Sequence, residues 1–133
     1  MGNKSYIKIT ITWLITLTIL SFIDFSDKEI STPENSDKII HFLLYFILTF
    51  LCIKSVQMIS LKKYLIISIS CFIYGTIIEV FQELFTQTRK ADALDVLANT
   101  LGILVAVVVS KYFIKNNYSS KFRNLKNIHI FVT

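Results

Sequence analysis

Four apolar runs, each near the length that crosses a bilayer, constrain this chain more than anything else in its sequence. They fall at about 9–25, 37–56, 64–86 and 93–114 of the 133 residues. A helix rising 1.5 Å per residue needs about 20 predominantly apolar residues to span the hydrocarbon. Charged residues make up 17% of the chain, against about 25% in a soluble domain. The expected fold is therefore all-α: a four-transmembrane-helix bundle forming one domain over 1–133, with 115–133 a basic cytoplasmic tail. The expected location is the cell membrane, as a multi-pass protein.

Lys4 and Lys8 precede the first run. A basic start and an apolar centre also describe a signal peptide, but no small-residue cleavage site follows, so an uncleaved span is expected. Its threonines, Thr10, Thr12, Thr16 and Thr18, are compatible with a span because they can bond back to helix carbonyls or to neighbouring helices. Ser36 or Asp37 offers an oxygen to the first-turn amides of the second helix. Cys52 and Cys71 lie inside apolar runs and read as small buried hydrophobes. No C-x-x-C or other recognised metal spacing is present, so no cofactor is expected; a metal at His41, Glu79 and Asp95 is the lesser alternative. The net charge of +5 does not point to nucleic acid, because the basic residues alternate with the apolar runs instead of gathering on one stripe.

That alternation carries topology. With four spans, Lys4, Lys8, Lys54, Lys62, Lys63, Lys111, Lys115, Lys121, Arg123 and Lys126 share one side, and Lys28, Lys38, Arg89 and Lys90 the other. Ten against four places both termini in the cytoplasm by the positive-inside rule. All nine acids, among them Asp37, Glu79, Asp92 and Asp95, fall in the outer loops or the outer halves of spans.

Those acids do not stand alone. At 3.6 residues per turn, Asp37, His41 and Tyr45 share one face of the second span. Gly75, Glu79, Gln82 and Thr86 share a face of the third, and Asp92, Asp95, Asn99 and Gly102 a face of the fourth. The three faces reach a similar depth, so they can meet in the outer leaflet. Arg89, in the short turn before the fourth span, can reach back over Glu79, Asp92 or Asp95. Ala98, Gly102, Ala106 and Ser110 recur every four residues, a small-residue stripe that lets a neighbouring backbone approach closely. Ionisable groups within spans cost roughly 2.5–3.5 kcal/mol each at a helix centre. Interhelical hydrogen bonding accounts for Tyr45, Gln82 and Asn99 taken singly. It does not require several carboxylates, an imidazole and an arginine together, which favours a polar pocket open to the outer face.

These residues also resemble a family. Asp37-Lys38-Ile39-Ile40-His41-Phe42, with Tyr45 one turn on, is similar to the D-K-x-x-H-F entry of the VanZ-like membrane proteins. Gly75 to Gln82 resembles their G-x-x-x-E-x-x-Q segment, and Arg89 to Gly102 their R-x-x-D-x-x-D-x-x-x-N-x-x-G closing motif. The likeness covers roughly Asp37 to Gly102, and the first span and the tail carry no such signature. It implies a small bacterial four-helix membrane domain and, through the founding member, a link to resistance against the lipoglycopeptide teicoplanin. The motif residues it carries over are Asp37, Lys38, His41, Tyr45, Glu79, Gln82, Arg89, Asp92, Asp95 and Asn99. As a binding module, these would recognise an amphiphile in the outer leaflet: a lipid-linked envelope component, a phospholipid headgroup or an acylated antibiotic. As an enzyme, His41 with Glu79 or Asp95 would act as acid and base.

Overall fold

The computed structural model describes the backbone of residues 3–22, 36–56, 60–85 and 92–130, and side chains within these ranges as far as residue 113. All regular structure among them is helical: α1 (Asn3–Phe22), α2 (Ser36–Ser55), α3 (Leu61–Phe85) and α4 (Ala93–Ile130). Each contains a stretch long and apolar enough to cross a membrane, in α4 the part Ala93–Phe113. The chain is a multi-pass membrane protein.

The ends of the helices depart from the limits of the apolar runs. α1 begins at Asn3 instead of residue 9, and α3 at Leu61 instead of residue 64. α4 continues through the expected tail to Ile130. Hydropathy falls after residue 114, but no glycine or proline interrupts the backbone there, so loss of apolar character does not end the helix. At the other end Asp92 starts α4: its carboxylate Oδ1 accepts from the Leu94 amide at 2.9 Å, and its carbonyl accepts from Asp95 and Val96.

α2 packs most extensively on α4, and it also meets α1 and α3. α1 and α4 do not meet among the described residues, so they occupy diagonal corners. The closeness of α2 and α4 has a specific cause. A Cβ at Gly102 would run into the Phe42 carbonyl oxygen and stand 3.0 Å from the Phe46 nitrogen. Ala98, Ala106 and Ser110 are buried along the same stripe. Opposite it, Gly75 on α3 leaves room for the Tyr45 ring, whose Cε1 would lie 2.9 Å from an added Cβ. Leu17, Tyr45, Leu48, Cys71 and Ile103 form the apolar core.

α1 is tied in by side-chain hydrogen bonds. Trp13 Nε1 donates to the Leu44 carbonyl at 3.3 Å. The Thr10 hydroxyl pairs with Ser55, and that of Thr18 with Tyr74, each at 2.8 Å. Thr10, Thr16 and Thr18 also bond back to the carbonyls of Tyr6, Thr12 and Leu14, which keeps their hydroxyls compatible with an apolar surround. The outer surface is isoleucine-, leucine- and phenylalanine-rich, with Ile11, Ile15 and Ile19 more than half exposed along α1. In lipid this is the expected exterior.

Candidate functional site

The polar faces of α2, α3 and α4 meet at the end of the bundle where α2 and α4 begin. His41 is the junction. Its Nδ1 lies 3.2 Å from Glu79 Oε1 on α3 and 3.3 Å from Asn99 Oδ1 on α4. Its Nε2 faces Asp37 Oδ1 on its own helix and Asp95 Oδ2 on α4, each at 3.9 Å. His41, Glu79, Asp95 and Asn99 are all buried, Glu79 and Asn99 to 3% and 2% exposure. The reach of His41 to both Glu79 and Asp95, expected from depth along the spans, is present.

The two ring nitrogens have different surroundings. Nδ1 is hydrogen-bonded to Asn99 Oδ1, which can only accept, so the ring proton is assigned there. Among the described residues, Nε2 has only carboxylate oxygens beyond hydrogen-bonding distance in front of it.

Toward the rim the groups become more exposed. The side chains of Asp37 and Asp92 are 52% and 41% accessible. Lys38 lies between α2 and α4, with Nζ 3.3 Å from Asp92 Oδ2 and 3.9 Å from Asp95 Oδ1. Lys38 is thus already opposite two carboxylates. The Leu94 amide, and after it the Lys38 ammonium, hold the Asp92 carboxyl below its usual range.

Two motif residues face inward from this cluster. Tyr45, one turn beyond His41, is buried with its ring 6.2 Å from that of Tyr74, and its hydroxyl has no hydrogen-bond partner among the described residues. Gln82 reaches α1, donating from Nε2 to the Ser21 carbonyl at 2.7 Å. Ser21 went unnoticed in the sequence because a backbone carbonyl leaves no residue-type signal. Arg89 and Thr86 lie outside the described residues.

The arrangement can accept hydrogen bonds from hydroxyl or amine groups, hold a cation, or pass a proton between His41 and a carboxylate. Among the described residues, the three groups whose donor atoms converge as for a metal are Asp37, His41 and Asp95, all within 4.8 Å of one another. Glu79, part of the trio that the sequence offers as the lesser, metal-binding alternative, instead faces the other ring nitrogen. A concavity of about 300 Å³ bounded by Lys8, Ile9, Thr12, Trp13 and Thr16 lies on α1, away from these groups. The buried charges mark the site better than that groove does, because only they carry a desolvation cost.

A protein-family model described as VanZ/LLP1 matches residues 3–115, and so takes in α1, where the sequence shows no motif. No curated protein and no solved structure matches the chain.

Proposed function

The chain belongs to the VanZ/LLP1 family, and from that premise we propose that its polar cluster recognises an amphiphile in the outer leaflet, a lipid-linked cell-envelope component or an acylated antibiotic. This would link the protein to resistance against teicoplanin-type lipoglycopeptides. One observation carries the reading: four carboxylates, a lysine and a histidine from three helices gather at one end of a bundle whose flanks are apolar. Such a concentration is costly in a membrane and is typical of sites that act on something. The charge distribution supports an outward-facing cluster with both termini in the cytoplasm. Asp37, Asp92 and Lys38 form the accessible rim, and Glu79, Asp95 and Asn99 the floor. Arg89 belongs to the proposed binding set on its motif position.

The test compares bacteria expressing Glu79→Gln or Asp95→Asn at wild-type protein levels for teicoplanin susceptibility. Loss of protection in both supports the reading, and full protection by both defeats it. A cytoplasmic signal from a topology reporter at the α3–α4 turn would overturn the orientation.

The buried His41–Glu79 contact at 3.2 Å favours a second reading, an intramembrane enzyme using the pair on a lipid or lipid-linked substrate. His41→Ala separates the two. Lost protection with unchanged binding of the lipid or drug by purified protein indicates catalysis, and lost binding indicates recognition.

A further inference from the structure

We propose that Asp37, His41 and Asp95 hold a divalent transition-metal cation, through Asp37 Oδ1, His41 Nε2 and Asp95 Oδ2. Two independent features of the site point to it.

The first is the orientation of His41. Its Nδ1 is hydrogen-bonded to Asn99 Oδ1 at 3.3 Å, which places the proton on that nitrogen and turns the Nε2 lone pair toward the two aspartates. A histidine whose far nitrogen donates to a carboxylate or carbonyl, while the near one ligates, is the usual outer-shell arrangement of metal-bound imidazole. The second is the state of Asp95. It is 6% exposed, and its Oδ1 has no hydrogen-bond partner among the described residues. Its cationic or imidazole neighbours, Lys38 Nζ and His41 Nε2, both stop at 3.9 Å. A buried carboxylate calls for a paired charge or a metal.

The spacing suits such an ion. Ligands about 2.1 Å from a zinc ion in a tetrahedron stand about 3.4 Å from one another. The two 3.9 Å separations at Nε2 therefore need to close by about 0.5 Å. Asp37, on the exposed rim, leaves the remaining coordination positions open to water. One imidazole with two carboxylates suits Zn²⁺ or Mn²⁺ better than Mg²⁺ or Ca²⁺, which prefer all-oxygen sites. Lys38 does not ligate, but its ammonium lies beside Asp95 and opposes a second positive charge there.

The experiment uses full-length protein in detergent, stripped with EDTA and titrated with Zn²⁺ and Mn²⁺ alone by calorimetry, with bound metal counted by mass spectrometry. No lipid or drug is present, so the outcome is independent of what the site recognises. One ion per chain is expected. His41→Ala and Asp95→Asn should each weaken binding at least about tenfold, and Asn99→Ala about 10- to 100-fold, as outer-shell changes do. Lys38→Met, which removes no ligand, should tighten binding several-fold, and it decides the matter even if the ligand variants fail to fold. The proposal is overturned by wild-type protein that shows no saturable binding, or by Lys38→Met that leaves affinity unchanged or lowers it.

Discussion

The contact between α2 and α4 has two ends built on opposite principles. At Gly102 the helices meet by close approach, with Phe42 backbone against the α4 glycine and the small residues Ala106 and Ser110 buried farther along α4. A few residues away, at Asp37, Lys38, His41, Asp95 and Asn99, the same two helices face each other through charge and imidazole. In lipid there is no hydrophobic drive between helices, so close van der Waals packing does much of the holding. The difference teaches that the charged end is not required as an adhesive: the small-residue end supplies the adhesion and leaves the charges available for other work.

Substitutions at the two ends can break or sharpen this contrast. The largest effect is expected at Gly102. Gly102→Leu should leave no folded protein recoverable in detergent, because the obstruction is backbone, which cannot swing away. Gly102→Ala should lower stability by about 1–3 kcal/mol, the usual range for overpacking, read as a drop in the thermal midpoint. At the charged end, Glu79→Gln should reduce function at least about tenfold, or about 1.4 kcal/mol, while moving the midpoint less than Gly102→Ala does. A midpoint loss as large as that of Gly102→Ala would make the cluster interhelical adhesive after all.

Smaller effects refine the picture. Asp92 has its carboxyl held below the ordinary value of 3.8, so its contribution to stability is fully present above that value. It is lost as pH falls through the lower folded value. The stability advantage of wild type over Asp92→Asn, followed by thermal unfolding across pH, should therefore hold through the neutral range and vanish only in strong acid. The smallest change is expected from Ser110→Ala. Ser110 is fully buried and its hydroxyl has no hydrogen-bond partner among the described residues. Removing it should be neutral or stabilising by no more than about 1 kcal/mol, measured on the same thermal curve.

Much of this contrast is legible in the sequence because both ends follow local periodicity. Asp37, His41 and Tyr45 share a face at one turn apart, and so do Ala98, Gly102, Ala106 and Ser110. That such faces meet follows from the need to keep polar groups away from lipid. What resists reading is set by rotamers and tertiary neighbours. Nothing in the spacing says that Lys38 turns to Asp92 and Asp95, that Glu79 takes Nδ1 and not Nε2, or that Gln82 reaches the Ser21 carbonyl. Helix limits resist reading for a different reason. Hydropathy marks where the membrane ends, whereas backbone hydrogen bonding continues through Lys115 to Ile130 without a breaker.

The position of His41 at the meeting point of three helices also bears on how the chain is made. Synthesis runs from the N-terminus, so His41 and Lys38 on α2 exist before Glu79, Asp95 and Asn99 are translated. Glu79, Asp92 and Asp95 in the later helical hairpin each arrive after the group that receives them. Reversing that order, by a circular permutation that begins the chain at α3, would present the membrane insertion machinery with carboxylates that have no waiting partner.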